Sequence, residues 1–445
     1  MRSDMDWCRL EELARSESGA IAIGPFGSRL KADSYTNSGV GLIRGTNLAG
    51  SKYLSGNFVY ISEEKASELG NANLKPGDLV FPHRGNIGAV GLVPDDGNRY
   101  VLSTSLMKIT LDAGRALPAF YYYFFRSDHG QAELLKNASQ VGTPGIATPL
   151  TSLRACIVPL PPIEQQAVVV AMLCSLDDRI ELLRQTNATL ESIAQTLFKS
   201  WFIDFGPTHA KAEGREPEGM DAVTAALFPS EFEKSELGLI PVGWRPGTLA
   251  DLATLNAESW TTKRRPARLS YIDLSNVKDN RVDEVTEYEF NDAPSRARRV
   301  LHSGDTIVGT VRPGNRSFAY IQNAPDGLTA STGFAVLTAN EKWCQEFVYL
   351  AMTRDENIAR LANLADGGAY PAVRPELVVG TQAVLPTSKV LQAFSAVASL
   401  LFDRHAENRR IERSLADVRD ALLPRLISGK LRIPEAQEQL EDAVA

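Results

Sequence analysis

The chain has 445 residues, 44% of them hydrophobic and 23% charged, with a formal net charge of −7. That length supports two to four cores, and the composition is that of an ordinary globular protein rather than a disordered one. The acidic balance argues against a protein that grips nucleic acid alone, because phosphate neutralisation needs Lys and Arg.

Four scattered cysteines, Cys8, Cys156, Cys174 and Cys344, have no C-x-x-C spacing, which excludes a disulfide framework and a cysteine zinc site. Met1–Asp6 lacks the run of a signal peptide, and the longest apolar stretch, Ala167–Cys174, is far below the ~20 residues that span a bilayer. The expected setting is cytoplasmic and reduced, with no membrane.

In chain order, residues 1–158 are rich in turns and short apolar runs: Val40–Arg44, Phe58–Ile61, Leu79–Phe81, Ala89–Val93 and Leu102–Leu111. They read as mixed α and β, with one helix over Phe120–Lys136. Pro159-Leu160-Pro161-Pro162 closes this region, and a helix runs from Ile163 to Phe202 within a segment 159–204. Leu176, Leu183, Leu190 and Leu197 fall seven apart there. Leu173, Ile180, Asn187, Ala194 and Trp201 fill the complementary slot, which is a coiled-coil seam. At 1.5 Å per residue such a helix makes a rod of roughly 60 Å.

Residues 205–243 read as a polar connector, 244–386 as a second globular region, 387–431 as a second long helix ending near Ile427, and 432–445 as a tail. The second seam carries Leu401, Ile411, Leu415, Val418 and Leu422, with His405 and Asn408 where the first has Ile180 and Leu183. Antiparallel pairing of the two helices is expected. The polar pair either sets their register or stands exposed.

The two halves repeat each other. Lys75-Pro76-Gly77-Asp78-Leu79-Val80-Phe81 returns as His302-Ser303-Gly304-Asp305-Thr306-Ile307-Val308, and Asp178-Arg179 returns as Asp403-Arg404, at a spacing of roughly 225 residues. Trp244–Ala253 mirrors Trp7–Ala14. That period is a duplicated domain rather than a solenoid. The expected fold class is α+β: two globular α/β domains separated by two long antiparallel helices in a coiled coil, with pseudo-two-fold internal duplication.

Catalytic motifs are missing. Ser428-Gly429-Lys430-Leu431 lacks the upstream glycine and following hydroxyl of a phosphate-binding loop. No G-x-G-x-x-G follows a strand, and Leu160-Pro161-Pro162-Ile163 lacks the amide and aromatic of an amino-methyltransferase tetrapeptide. His83, His129, His209, His302 and His405 have no metal-ligand spacing.

Several motifs together resemble the specificity subunit of type I restriction–modification enzymes. They are Leu160-Pro161-Pro162-Ile163-Glu164-Gln165-Gln166 opening the first helix, Ser200-Trp201-Phe202-Ile203-Asp204-Phe205 closing it, Ile240-Pro241-Val242-Gly243-Trp244 entering the second half, and Leu423-Pro424-Arg425-Leu426-Ile427-Ser428-Gly429-Lys430-Leu431 at the end. Gly24-Pro25-Phe26-Gly27-Ser28 with Arg44-Gly45-Thr46-Asn47 is similar to that family's target-recognition domain. Pro386-Thr387-Ser388-Lys389-Val390 departs from it, lacking the Pro-Pro-hydrophobic-Glu-Gln opening of the first helix.

The resemblance implies two target-recognition domains, each reading half of a bipartite, asymmetric site in double-stranded DNA. The helices would act as spacer and as dock for two methyltransferase subunits, with two restriction–motor subunits beyond them. It implies no catalysis, cofactor or metal in this chain, with S-adenosylmethionine, ATP and Mg on the partners. Two heads on one face of B-DNA are expected about one turn, roughly 34 Å, apart. The competing reading, a coiled-coil scaffold with two ligand-binding domains and no DNA role, follows from the net negative charge.

Groups able to reach bases or phosphates on loops after strands are the candidate DNA contacts. In the first domain these are Ser28, Arg29, Lys31, Arg44, Asn47, Arg84, Asn86, Thr104 and Ser105. In the second they are Thr261, Lys263, Arg264, Arg265, Asn276, Arg312, Asn315, Arg316, Ser331 and Thr332. Arg296-Ala297-Arg298-Arg299 is a further basic cluster.

Overall fold

The computed structural model describes residues 6–26, 29–48, 52–139, 142–261 and 263–429. The chain divides into two compact units, one of Met1–Arg184 with Arg410–Ala445 and one of Gln185–Arg409. Each unit therefore holds one globular domain together with half of each long helix, Ile163–Phe202 and Ser388–Ile427.

In the first unit two four-stranded sheets form the domain. One is antiparallel, in the order Ile21–Ile23, Leu106–Ile109, Leu79–Pro82, Gly91–Leu92. The other runs Tyr35–Thr36, Val59–Ile61, Val40–Ile43, Tyr100–Leu102, with its last pair parallel. The expected run Leu102–Leu111 is two strands separated by a turn at Ser103–Ser105.

The second unit repeats the scheme. Its antiparallel sheet is ordered Ala253–Leu255, Phe334–Ala339, Thr306–Gly309, Phe318–Tyr320. Its mixed sheet is ordered Thr286–Glu289, Arg268–Ile272, Leu328–Ser331, Ala297–Val300, with the central pair parallel. Each domain also closes on itself, because its first strand pairs antiparallel with its last: Trp7–Arg9 with Ile157–Pro159, and Arg245–Thr248 with Gln382–Leu385. Entry and exit of each domain thus lie together beside a long helix.

The segment expected as one helix is two, Pro118–Arg126 and Asp128–Leu135. Ser127 takes an extended conformation between them and its hydroxyl accepts from the Gly130 amide, an N-cap that starts the second helix afresh. A Cβ on Gly130 would lie 2.0 Å from the Phe124 carbonyl, so only glycine allows so sharp a return. Phe120 to Phe125 are all buried, which makes this helix apolar on every side and places it inside the core.

Residues 205–243, expected as a polar connector, are ordered. They contain helices Gly206–Ala212 and Ala222–Ala226 and a hairpin of Phe232–Ser235 with Gly238–Pro241. Phe228 and Trp244 bury against Trp201 and Phe202, and this aromatic cluster organises the surrounding polar chain.

The heptad positions are the buried ones. In the first unit Leu173, Leu176 and Ile180 pack with Leu415 and Leu422, with Leu183, Ile411 and Val418 at the margin. Asp177 pairs with Arg419 at 2.8 Å and Arg184 with Glu412 at 2.6 Å, so one heptad up the first helix matches one heptad down the second, as antiparallel packing requires. In the second unit Ala194, Leu197 and Trp201 pack with Phe394, Ala398 and Leu401, while Leu190 is half-buried. There Asn408 is fully buried and His405 nearly so. The Asn408 amide donates to Asn187 Oδ1 at 2.9 Å, and Asn187 Nδ2 donates to the His405 carbonyl at 3.2 Å. The polar pair is therefore a seam layer, a device that penalises any shifted register.

Buried polar groups also seat each domain on its helices. In the first unit Tyr123 donates to Asp177 at 2.6 Å, the same carboxylate that holds Arg419. In the second, Tyr349 and Asn280 both donate to Glu191, and Arg409 donates to the Asn280 carbonyl at 2.8 Å.

The duplicated Gly-Asp turn is structural. Gly77 and Gly304 have φ of +83° and +94°, which a side chain would strain. Asp78, fully buried, accepts from the Lys75 amide at 2.9 Å, from Lys108 Nζ at 2.7 Å and from the Thr110 hydroxyl. Asp305 accepts from the His302 amide at 2.7 Å and from Thr338, but Val336 stands at the lysine's place in the register. Burial without a cation raises the Asp305 carboxyl above the ordinary range.

Three outcomes are expected in denaturant unfolding followed unit by unit by hydrogen exchange. Lys108→Met leaves Asp78 buried without its cation and costs the first unit about 3–5 kcal/mol. Asp305 has a raised folded value, so its contribution is fully present below the unfolded carboxylate pKa and is lost as pH rises through the folded one; Asp305→Asn removes that slope without a comparable loss at neutral pH. Asn408→Leu strands Asn187 and costs about 1–3 kcal/mol, which the double change Asn187→Leu with Asn408→Leu restores.

Candidate nucleic-acid interface

In the first domain the C-terminal ends of four strands meet at one edge. Ile43 and Leu102 are neighbours in the parallel pair, Pro82 lies opposite Leu106, and the Gly24 amide donates to the Leu106 carbonyl at 2.8 Å. Gly24 is required there, since a Cβ would lie 1.8 Å from the Ser103 carbonyl. The segments after those strands carry Phe26, Arg44, Asn47, Arg84, Asn86, Thr104 and Ser105, so residues far apart in sequence share one rim.

The rim is braced from below. His83 is buried with Nε2 3.1 Å from the Thr104 carbonyl, and burial lowers its pKa, so it stays neutral. Gly85 and Ile146 exchange backbone bonds with Pro144 and His83, which ties the Arg84 loop to residues 143–146.

Within this rim Arg84, Asn86 and Thr104 are exposed and Ser105 is half-buried. Arg44 is half-buried with its guanidinium on the Asn57 carbonyl at 3.3 Å. Asn47 is a correction. It is 1% exposed, its amide donates to the carbonyls of Ser55 and Asn57, and its oxygen accepts from the Arg44 amide. Every polar atom of that side chain is used to close the loop, and none faces outward. Arg29 and Lys31 are exposed further along the chain after Phe26, with Arg29 on the Glu68 carbonyl at 3.2 Å. Ser28 lies outside the described residues.

The second domain presents the equivalent rim after strands ending at Leu255, Ile272, Gly309 and Ser331. Arg312 is exposed on a left-handed backbone, φ +48°, its guanidinium 4.8 Å from the centroid of the Tyr370 ring and donating to the Ala369 carbonyl at 2.6 Å. A bridge of Val311 to Ala372 repeats that of Arg84 to Gly145, so each rim is buttressed by the same kind of loop. Asn315 and Thr332 are exposed beside it, and Asn276 is half-buried with its amide 3.4 Å from Glu284.

Two candidates here are corrected. Arg316 is clamped by Asp279 and Asp355, which ties it into the domain. Ser331 is 2% exposed, and its hydroxyl accepts from the Gly333 amide to shape the turn.

Thr261, Lys263, Arg264 and Arg265 are exposed along a sheet edge rather than on the rim. The Trp260 amide donates to the Arg298 carbonyl at 2.8 Å, which places this cluster against the edge strand Ala297–Val300. Arg265 and Arg298 stand 5.4 and 5.3 Å from the centre of the Phe290 ring, and Arg264 pairs with Glu258. Two basic clusters separated by some thirty residues thus make one cationic border inside an acidic chain.

Arg296, Arg298, Tyr370 and Phe26 are not among the contact candidates read from the sequence, although Phe26 and Tyr370 are 62% and 71% exposed. The arginines appear there only as a basic cluster and Phe26 only within the Gly24–Ser28 motif. Tyr370 stands in a Gly/Pro-rich stretch without a pattern to distinguish it from a core residue. Among the described residues no group of three or more His, Cys, Asp or Glu is placed to hold a metal ion, and no helix is long and apolar enough to cross a membrane.

Known proteins share this organisation. Residues 27–192 match the family model for the type I restriction modification DNA specificity domain. The chain is 25% identical to the HindI type I restriction enzyme specificity subunit of Haemophilus influenzae, over 80% of this chain and 87% of that one. It is 24% identical to the MjaIX specificity subunit of Methanocaldococcus jannaschii, over 86% and 84% respectively. The crystal structure of a type I restriction–modification S subunit from M. genitalium shares the fold, with a TM-score of 0.52 at 13% identity over 96% of this chain and 97% of that one. A duplicated domain on paired long helices is thus similar, along most of its length, to the specificity subunits of type I restriction–modification enzymes.

Proposed function

We propose that the chain chooses the DNA sequence for its complex and performs no chemistry itself. Each globular domain reads one half of a bipartite, asymmetric site in double-stranded DNA, and the helices space the domains and bind two methyltransferase subunits. S-adenosylmethionine, and ATP with Mg for two restriction–motor subunits, belong to those partners.

The observation that carries this reading is the pair of rims. The same strand ends and the same buttressing bridge recur, and each rim displays an arginine, an asparagine and a threonine, Arg84, Asn86 and Thr104 on one and Arg312, Asn315 and Thr332 on the other; their surroundings differ, with Tyr370 against Arg312 and the exposed Lys263, Arg264 and Arg265 in the second domain. Arg and Asn present the donors that suit guanine and adenine edges, and a common frame whose donors stand in unlike surroundings suits two unlike half-sites. Leu182 in one unit, and Ile193, Val397 and Leu400 in the other, stand exposed on the helices and suit a protein partner there.

The test is labelled methyl transfer by the chain with its methyltransferase to a randomised duplex library. A bipartite consensus is expected, and methylation without sequence preference refutes the reading. Arg312→Gln should cost about 1–3 kcal/mol on the preferred site and relax preference at one position of one half-site. Lys263→Ala should weaken all sequences alike and reduce the slope of log affinity against log salt by about 1.

A further inference from the structure

The two rims differ in charge at one equivalent position. Ile43 and Ile272 each end a strand of the parallel pair, opposite Leu102 and Ala330, and the next residue is Arg44 in the first domain and Asp273 in the second. A carboxylate on a surface that meets phosphates is unfavourable unless a cation holds it. The second domain supplies that cation. Its edge strand Ala297–Val300 begins opposite Ser331, and just ahead of it the Arg296 carbonyl accepts from the Thr332 amide at 2.8 Å, which sets Arg296 on the rim beside Asp273. The first mixed sheet carries its fourth strand at the opposite edge, Tyr35–Thr36 beside Val59–Ile61, so that strand brings nothing to this place.

Arg296 Nη2 lies 2.7 Å from Asp273 Oδ2, and its Nε donates to the Tyr271 hydroxyl at 3.1 Å. That hydroxyl donates in turn to the same Oδ2 at 2.9 Å. Asp273 Oδ1 accepts from the Ser275 amide and hydroxyl at 3.1 and 2.9 Å, and Tyr271 is buried. The side edge of the guanidinium is thereby fixed in plane and direction. Its end edge, Nη1 with the second hydrogen of Nη2, has no partner among the described residues, and the side chain is 60% exposed. Arg316 is the contrast: Asp279 takes its Nε and Asp355 its Nη1, so both edges are used.

An exposed ion pair adds little stability, so stability is a poor account of a guanidinium fixed from two sides. A held end edge has another use, because its two parallel N–H groups match O6 and N7 of guanine. Phosphate fits it poorly: Asp273 repels the anion that Arg296 attracts, whereas the acceptors of guanine are neutral. Resting on the proposed function, we infer that Arg296 reads a guanine in the half-site of the second domain, with Asp273 and Tyr271 as its positioning residues. The contact is peculiar to the second rim, where the edge strand delivers the arginine and an aspartate replaces Arg44.

Methyl transfer to a randomised duplex library by the full chain with its methyltransferase, together with duplex binding titrations, tests this. The wild type should require guanine at one position of one half-site. Arg296→Lys keeps the charge and loses the fork, so it should cut the preference for guanine at that position by about tenfold or more. The other half-site and the slope of log affinity against log salt should stay as they were, which also shows that the variant folds and assembles. Asp273→Asn should shift the same position in the same direction, a change that a merely structural role would not confine to one base. Replacing that guanine by 7-deazaguanine removes the N7 acceptor and should weaken the wild type but not Arg296→Lys. A wild-type consensus from Arg296→Lys overturns the inference. So does an Arg296→Ala chain that weakens on all sequences alike with a salt slope lower by about 1, the mark of a phosphate contact. Either result leaves the functional reading standing as long as the wild type yields a bipartite consensus, whereas wild-type methylation without preference sinks both.

Discussion

Two helices that run in opposite directions bury a stripe along each, and that pairing is the constraint on which each unit rests. The stripe is not uniformly apolar. In one unit Asp177–Arg419 and Arg184–Glu412 cross it, and in the other Asn187, Asn408 and His405 do. Apolar side chains tolerate sliding because their burial is nearly the same in several registers. Half-buried ion pairs and buried amides do not, since a slip leaves each without its partner. The leucines therefore supply affinity between the helices, and the polar layers supply the register.

The domains inherit their placement from those same groups. Asp177 holds both Arg419 across the seam and Tyr123 on the buried aromatic helix, so one carboxylate joins helix, helix and domain. In the other unit Glu191 takes Tyr349 and Asn280, and Arg409 reaches the Asn280 carbonyl from the opposite helix. The residues differ while the solution is the same. A rim that reads DNA by hydrogen bonds needs its loops held to a fraction of an ångström, and a domain seated through buried polar groups on a paired helix meets that need.

The two domains also show how far a duplication drifts when only the frame is constrained. The order of the antiparallel sheet, three strands of the mixed sheet with their parallel pair, the closing ribbon and the bridge beneath the rim are retained, because each satisfies backbone groups that any sequence must satisfy; the fourth strand of the mixed sheet lies at opposite edges, Tyr35–Thr36 beside Val59–Ile61 in one and Ala297–Val300 beside Leu328–Ser331 in the other. The buried turn aspartate is retained too, yet its cation is not: Lys108 faces Asp78, and Val336 occupies the corresponding place near Asp305. The rims keep an arginine, an asparagine and a threonine each and differ in the groups around them, Tyr370 against Arg312 among these.

The sequence by itself determined the repeat, the seam and its heptads, and two of the strand ends from which the first rim is built, near Ile43 and Pro82, because periodicity and turn chemistry act over a few residues; it showed no strand at Ile21–Ile23 and joined Leu102 to the strand after it. It could not say whether His405 and Asn408 were buried or exposed, since a polar residue at a seam position is compatible with either until the opposite helix is in place. Nor could it break the helix at Ser127, where the deciding contact is the close return of Gly130 onto Phe124. Only the tertiary structure decided which candidate groups face outward. Arg84 and Arg312 are displayed, whereas Asn47, Ser331 and Arg316 are consumed by Ser55 and Asn57, by Gly333, and by Asp279 and Asp355. A polar side chain can recognise a ligand only when its internal partners leave it exposed with donors to spare, as Arg312 is beside Ala369, and those partners come from distant parts of the chain.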